Sequence, residues 1–206
     1  MRRLRILSGP FRGTPIVVDW RGGKRKWLGI YEREVSFWWS ERVASTDLFY
    51  DVGASDGYFT CGVAYHMRCN SRVYAFDPGL ASTGLVRAIS HKAFSQVKFT
   101  LLDRSIGNTN SKTTDTLDSF YEDPADNAIV KVDVEGAELD VLAGATRFLE
   151  NDRIHWNVEI HGQHRLDLVE NVFKSYGKEF RVIYPQPHFF FGSELRPEWT
   201  AWLVTI

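Results

Sequence analysis

Two short runs in the second half of the sequence combine a strand-like pattern with side chains that could move protons. These runs are Lys131-Val132-Asp133-Val134-Glu135 and Val158-Glu159-Ile160-His161. Because successive side chains of a strand point to opposite faces, the ionisable groups of each run share one face. Such groups on a central strand are costly unless they are paired or face a cleft. The two runs therefore predict a polar cleft.

His161 and Asp133 are the candidate proton acceptors of this cleft. Histidine suits general acid–base chemistry because its ordinary pKa is about 6.5. We expect His161 or Asp133 to act as the base and Glu159 to orient the imidazole; a structural histidine capped by Glu159 is the alternative. These groups could also hold a divalent metal, but their spacing fits no dedicated metal motif, so no metal site is predicted. Glu138 could merely favour a helix dipole.

A glycine-containing turn follows an earlier apolar run. It reads Asp51-Val-Gly-Ala-Ser-Asp-Gly57, and a helical pattern begins directly after it. Gly53 and Gly57 permit a tight turn that brings backbone N–H groups against a ligand. The turn lacks the Gly-Lys-Ser/Thr ending of a phosphate loop, and Ser55 replaces the second glycine of the dinucleotide fingerprint. An acidic residue such as Asp51 suits a ligand that carries an amino group; an ordinary strand-to-helix turn is the alternative.

Polar residues also end the next two predicted strands. Asp77-Pro78 lies about twenty residues beyond the first glycine, where a carboxylate can accept hydrogen bonds from both ribose hydroxyls of a nucleoside. Asp103-Arg104-Ser105 could contact an adenine edge or form an ordinary polar turn. Together with the glycine turn, Asp77 predicts a nucleoside-type ligand at the carboxyl edge of a sheet.

The elements that must position these residues follow an alternating pattern. Strand-like runs alternate with helical segments, which predicts a mostly parallel sheet with helices on both faces, and two final runs without a helix between them predict a C-terminal antiparallel hairpin. We expect residues 1–30 to form a basic arm, a helix over Tyr31–Val43 to lead into the core, and residues 31–206 to form the catalytic domain. The seven predicted strands are Leu48–Val52, Val73–Phe76, Val97–Leu102, Ala128–Val134, His155–Ile160, Phe180–Tyr184 and Thr200–Ile206.

The order of these motifs resembles the FkbM family of S-adenosylmethionine-dependent methyltransferases. The resemblance rests on Asp51 to Thr60, Ala75-Phe-Asp-Pro78, Thr116-Leu-Asp-Ser119, Lys131 to Ala145 and Val158-Glu-Ile-His161. It extends from about Leu48 to Gly162, and the block from Lys131 to Glu138 is its most family-specific part. Family members usually have Glu where Asp77 stands.

The resemblance implies a class I methyltransferase (Rossmann-like) fold and methyl transfer from S-adenosyl-L-methionine to a hydroxyl of a sugar or other small natural product. The glycine turn would hold the methionine part and Asp77 the ribose, while Asp133 and Glu135 would border donor and acceptor. The candidate catalytic residues are His161, Asp133, Glu159 and Glu135. The candidate cofactor-binding residues are Glu32, Asp51, Gly53, Ala54, Ser55, Gly57, Phe59, Asp77, Pro78, Asp103, Arg104, Ser105 and Asp133.

Two other classes of function compete with this interpretation. A nucleic-acid methyltransferase is suggested by the basic arm and its aromatic residues Phe11, Trp20 and Trp27. The sequence has neither an Asn-Pro-Pro-Tyr-type block for adenine nor a Pro-Cys nucleophile for cytosine. A cofactor-binding partner subunit without activity is the second competitor, although all the expected acids are present.

Composition and charge limit the remaining classes. The chain has 206 residues, of which 44% are hydrophobic, and a net charge of −1, which excludes intrinsic disorder. No apolar run approaches the roughly 20 residues of a membrane helix. Two unmatched cysteines, Cys61 and Cys69, and an N-terminus without an apolar signal core indicate a cytoplasmic protein. Residues 1–26 carry eight basic residues and one acidic residue; we expect a folded arm that covers the cofactor or meets an anionic acceptor.

Overall fold

The N-terminal arm forms a hairpin and a short helix. The structure is a computed structural model that describes residues 2–18, 23–80, 84–186 and 199–206. Strand β1 (Arg2–Arg5) pairs antiparallel with β2 (Pro15–Val18), and helix α1 (Lys24–Leu28) follows. The predicted arm is thus a regular hairpin with a helical extension.

A short helix links the arm to a seven-stranded sheet. Helix α2 (Ser36–Arg42) lies between two 3-10 turns, Arg33–Val35 and Val43–Ser45, so only the central part of the predicted helix over Tyr31–Val43 is α-helical. The strands and helices that follow, in chain order, are β3 (Thr46–Val52), α3 (Tyr58–His66), β4 (Arg72–Phe76), α4 (Leu85–Ile89), β5 (Lys98–Leu102), β6 (Ser105–Ile106), β7 (Thr114–Asp115), β8 (Asn127–Val132), α5 (Glu138–Ala143), α6 (Thr146–Glu150), β9 (Ile154–His161), α7 (Gln163–Ser175), β10 (Phe180–Ile183) and β11 (Thr200–Thr205).

The strand order of the main sheet is β10-β11-β9-β8-β3-β4-β5. Strands β3, β4, β5, β8 and β9 are parallel, whereas β11 is antiparallel to both β9 and β10. The predicted seven strands and C-terminal hairpin are therefore confirmed. The chain order reverses between the neighbours β3 and β8, and open sheets of this kind bind ligands beyond the carboxyl ends of the strands at such a point.

The sheet separates two apolar layers. Alternate residues of β3 face opposite layers: Phe49 packs with the arm, α2 and α3, whereas Leu48 and Tyr50 pack with α5, α6 and α7. The layer on the Phe49 side includes Phe11 of the arm, so the hairpin contributes to the core. Within the described ranges, no helix has the length and apolar character to cross a membrane.

Two predicted elements end earlier than their patterns suggested. Strand β8 ends at Val132 rather than at Val134, and the helical segment after Gly136 is divided into α5 and α6. The division falls at Gly144, where a side chain would lie 2.1 Å from the Gly107 carbonyl oxygen. A close backbone approach therefore coincides with the break in a helix that apolar periodicity alone predicts to continue.

Candidate active site

A cavity of about 640 Å³ opens at the carboxyl ends of β3, β4, β8 and β9. It lies at the edge of the sheet where the sequence predicted a cleft. Most of the predicted site residues line it: Gly53, Ala54, Ser55, Phe59, Asp77, Pro78, Arg104, Ser105, Asp133, Glu135, Glu159 and His161. Asp51, Gly57, Asp103 and Glu32 are not part of this lining.

Glu138 holds the imidazole of His161. The Nδ1 atom of His161 lies 2.7 Å from Glu138 Oε1, which also accepts hydrogen bonds from the backbone N–H groups of Gly136 and His161. Glu138 is fully buried, and although burial acts to raise the pKa of this carboxyl, the hydrogen bonds from His161 and Gly136 outweigh it and lower the pKa. An ionised carboxylate can only accept. Nδ1 therefore carries the proton of the neutral imidazole, and in that form Nε2 has the lone pair.

This arrangement corrects the orienting role predicted for Glu159. Glu159 Oε1 lies 3.7 Å from His161 Nε2, at the other end of the ring from the Glu138 bond. Asp133 Oδ1 lies at the same distance of 3.7 Å from Nε2. Both distances exceed hydrogen-bonding range, so the two carboxylates lie near Nε2 without a hydrogen bond to it.

The charges around His161 favour its protonated form. Burial acts to lower the pKa of the imidazole, but the hydrogen bond to Glu138 and the negative charges of Glu159 and Asp133 outweigh it and raise the pKa. His161, Asp133 and Glu159 also bring one potential ligand atom each to within 4.8 Å of one another, close enough to share a metal ion. The sequence predicted no metal site because the spacing of these residues matches no metal motif. They converge because β8 and β9 are neighbours in the sheet.

Asp51 lies beneath the cavity. Its side chain is completely buried, Thr60 Oγ1 donates to Oδ2 at 2.6 Å, and Lys131 Nζ lies 3.4 Å from Oδ1. Burial raises the pKa of the Asp51 carboxyl, against the opposing influence of Lys131 and Thr60. Asp51 therefore supports the glycine turn from below, whereas the sequence placed it against a ligand.

The glycine turn is fixed by its backbone geometry. Gly53 has φ +83°, and a side chain there would lie 1.8 Å from the Asp133 carbonyl oxygen. The N–H groups of Gly53 and Ala54 both donate to the Phe76 carbonyl, and the Ser55 N–H donates to Asp77 Oδ2 at 2.8 Å. The turn and the Asp77 carboxylate are thus held together at the cavity wall. Gly57, with φ +81°, then begins α3.

The predicted adenine-contact residues shape the neighbouring loops. Asp103 Oδ1 accepts from the N–H groups of Gly79 and Leu80, at 2.5 and 3.2 Å. The Arg104 guanidinium forms an ion pair with Asp115 and donates to backbone carbonyls of the same loop. These contacts commit Asp103 to the loop after β4 and Arg104 to the loop between β6 and β7. Ser105 remains on the cavity wall.

Glu135 and Glu32 differ from their expected positions. Period-two alternation placed Glu135 on the face shared by Lys131 and Asp133, but β8 ends at Val132 and Glu135 adopts φ +48°. Its exposed side chain lies at the cavity wall as part of a turn. Glu32 is almost completely buried and accepts from Trp202 Nε1 at 3.1 Å.

The arm reaches the rim of the cavity. Lys26 Nζ lies 2.7 Å from Asp56 Oδ2 and 4.7 Å from the centre of the Tyr31 ring. The Tyr31 ring packs edge-on against Tyr58 with 5.4 Å between the centroids, and all four residues line the cavity. Sequence reasoning missed Lys26, because its partner Asp56 is remote in sequence.

The strand order of the main sheet and the position of the cavity at the carboxyl ends of its strands are those of a class I methyltransferase fold. Residues 83–180, just under half of the chain, match the family model of the methyltransferase FkbM domain. This partial match agrees with the resemblance to the FkbM methyltransferases that the motifs indicated. A search of curated proteins gave no significant match.

Solved methyltransferases share this architecture. Methyltransferase FkbM from Methylobacillus flagellatus KT superposes with a TM-score of 0.55 at 19% identity, over 79% of this chain and 44% of that one. Fibrillarin from Aeropyrum pernix, with natively bound S-adenosyl-L-methionine, gives 0.52 at 13% identity, over 80% of this chain and 68% of that one. Small RNA methyltransferase HEN1 gives 0.54 at 14% identity, over 86% of this chain and 26% of that one. These likenesses establish the fold, and this chain spans less than half of the FkbM structure.

Proposed function

We propose that the protein is an S-adenosyl-L-methionine-dependent O-methyltransferase that acts on a hydroxyl of a small molecule, such as a sugar or a natural product. The family match supports methyl transfer, and the observation that carries the choice of a hydroxyl is the His161–Glu138 pair. An alcohol needs to lose a proton on methylation, and His161 lines the cavity, where the neutral imidazole would offer the lone pair of Nε2 as the proton acceptor.

The cavity fits a nucleoside-containing methyl donor. Its volume of about 640 Å³ lies within the usual range for small-molecule sites. The turn Gly53–Gly57 would hold the methionine part, and Asp77, fixed to that turn by the Ser55 N–H, would hold the ribose. When bound, the donor supplies an electrophilic methyl group on a sulfonium. The aromatic rings of Phe59 and Tyr31 on the cavity wall offer apolar surface against which the ligand could pack.

The chain itself handles the proton. His161 Nε2 would accept the proton of the acceptor hydroxyl while the oxygen bonds the methyl carbon and the carbon–sulfur bond of the donor breaks, and Nδ1 would keep its hydrogen bond to Glu138. The resulting imidazolium is stabilised by Glu138 at one end of the ring and by Asp133 and Glu159 at the other. General bases of this kind contribute about 10²- to 10⁴-fold to a rate. Positioning of the two reactants accounts for much of the rest.

Methyl transfer from a labelled donor to a panel of hydroxyl-bearing small molecules tests this proposal. We expect one class of acceptor to be labelled and His161→Ala to lower turnover about 10²- to 10⁴-fold while sparing donor affinity. Asp133→Asn should also lower turnover. His155→Gln, at the opposite end of β9, is the matched control and should retain activity. Full turnover by both His161→Ala and Asp133→Asn would overturn the assignment of the base.

Two further experiments separate the proposed function from a metal-assisted reaction and from a nucleic-acid acceptor. A chelator should leave turnover unchanged if His161 takes the proton, whereas loss of turnover would point to an ion at Asp133, Glu159 and His161. RNA in the acceptor panel tests the nucleic-acid alternative, which the exposed cations Arg3 and Arg12 of the arm favour. Labelling of RNA with no labelled small molecule would replace the proposed acceptor class. Donor binding without transfer to any acceptor would instead favour a partner subunit.

The free cysteines Cys61 and Cys69 suit the cytoplasm, which we propose as the compartment.

A further inference from the structure

A buried lysine occupies the centre of the carboxyl edge. Lys131 is only 3% exposed, and its Nζ lies 3.2 Å from the Gly53 carbonyl oxygen, 3.4 Å from Asp51 Oδ1 and 3.4 Å from Asp133 Oδ2. The ammonium also lies over the Phe59 ring, 5.1 Å from its centre. Lys131 thereby contacts the end of β3, the glycine turn and the segment that follows β8.

This ammonium balances an excess of negative charge. Burial alone lowers the pKa of Lys131, but the charges of Asp133, Asp51, Glu32 and Glu159 together outweigh it and raise the pKa. Lys131 therefore stays charged at every physiological pH. Removal of one partner from a buried ion cluster leaves the others uncompensated, which is far more costly than loss of a surface pair.

Lys131 also restricts the orientation of the Asp133 carboxylate relative to His161. One oxygen of Asp133, Oδ2, lies toward Lys131 Nζ, and the other, Oδ1, lies toward His161 Nε2 at 3.7 Å. Because a carboxylate is planar, an ion pair on one oxygen restricts the direction of the other. The side chain that restrains Asp133 is therefore the same one that holds the Gly53 carbonyl.

The same contacts change the assignment of Asp51. Its two oxygens face Thr60 and Lys131, so the carboxylate beneath the glycine turn already has a cation from the chain itself. An amino group of a ligand would have to displace a buried ammonium to reach it. Groups on the cavity wall, rather than Asp51, must therefore bind a ligand amino group.

We propose that Lys131 is a positioning residue whose ammonium fills the cation site at Asp51 and the Gly53 carbonyl and holds Asp133 in place against His161. The proposal rests on the proposed function for its effect on turnover. Its effect on the site itself, on the ionisation of His161, is independent of any acceptor.

Chemical rescue tests the need for a cation at this place. Lys131→Ala should lower turnover roughly 10²-fold, as expected when a reacting group is misplaced by about 1 Å. Because Lys131 lines the cavity, ethylamine or propylamine should enter the space left and restore turnover with a saturable dependence on concentration. The uncharged alcohols of equal length should not restore it. Lys174→Ala, which removes an exposed lysine paired with Glu170, is the matched control and should respond to neither compound.

A second readout does not require turnover. In Lys131→Met, the loss of positive charge beside Asp133 should raise the pKa of His161 followed by NMR titration, whereas Lys131→Arg should keep it close to that of the parent chain. An unchanged His161 titration in folded Lys131→Met, or full turnover by Lys131→Ala, would overturn the proposal. If the parent chain transfers no methyl group, the proposed function fails, while the His161 titration still decides the role of Lys131.

Discussion

The proposed proton chemistry depends on which ring nitrogen of His161 is hydrogen-bonded within the protein. The buried Glu138 is hydrogen-bonded to Nδ1 of His161, and Nε2 lies at the cavity end of the ring. Reversal of this orientation would present an N–H donor to the acceptor hydroxyl, which could not remove a proton. The tautomer is therefore the feature of the site on which the proposed base catalysis depends.

The pH dependence of turnover follows from the same pair. Only the neutral imidazole accepts a proton, so kcat/KM should rise with pH through the pKa of His161, above the ordinary value of about 6.5. Glu138, Glu159 and Asp133 face the ring, and Arg165 donates to the His161 carbonyl. Glu138→Gln removes the negative charge of the carboxylate that is hydrogen-bonded to Nδ1, which lowers the pKa of His161. The rise of kcat/KM should therefore move to lower pH, and the value of kcat/KM on the high-pH plateau should fall. A limb that stays in place in Glu138→Gln would show that another group titrates.

At the scale of elements, the site depends on close contact between β3 and β8. The glycine turn after β3 passes over the Asp133 carbonyl, and Lys131 bridges the same two strands from within. A short turn at this point lets the backbone of the residues after β3 approach the backbone of Asp133 beyond the end of β8. The proposed catalytic groups thus owe their spacing to a backbone contact as well as to side chains.

Gly53→Ala should disrupt this contact. Gly53 and Gly177 both have positive φ, +83° and +68°, but an added Cβ would lie 1.8 Å from the Asp133 carbonyl oxygen at Gly53 and would meet no described atom within 4 Å at Gly177. We expect Gly177→Ala to lower the free energy of unfolding by about 1–2 kcal/mol, the cost of the left-handed backbone alone. Gly53→Ala should cost more, at least about 3 kcal/mol, because the strands must separate. Denaturation by urea measures both, and equal losses would contradict this account.

The sequence predicted the elements well because strands of this sheet carry clear patterns. Apolar runs marked all seven strands, and the residues that end β3, β4, β8 and β9 do border the cavity. Alternation failed at Glu135, since it holds only while the strand continues. Glu138 was missed as the partner of His161 because the bond joins α5 to β9, and a pattern along one segment carries no information about contacts between segments.

At the scale of the whole molecule, the basic arm is part of the folded core. Its exposed cations, such as Arg3, Arg5 and Arg12, lie outside, while Phe11 packs inside against the rings of Trp39 and Phe59. A net charge of −1 conceals this division between a basic arm and an acidic remainder. Through Lys26 the arm also borders the cavity, so folding of the arm and formation of the site are coupled.

Removal of one aromatic ring should therefore reveal how much the arm contributes to stability. Phe11 is 1% exposed and its ring covers Gly62 of α3, where a Cβ would lie 2.5 Å from it. Phe11→Ala should lower the free energy of unfolding by about 3–5 kcal/mol. Leu7→Ala, in the same arm but at a residue 51% exposed, is the matched control and should change it by less than about 0.5 kcal/mol. Chemical denaturation compares the two, and deletion of residues 1–26 should exceed both because it also removes Lys26 from the cavity rim. If Phe11→Ala and the deletion leave stability intact and weaken only binding to polyanions, the arm is an independent tail and not part of the core.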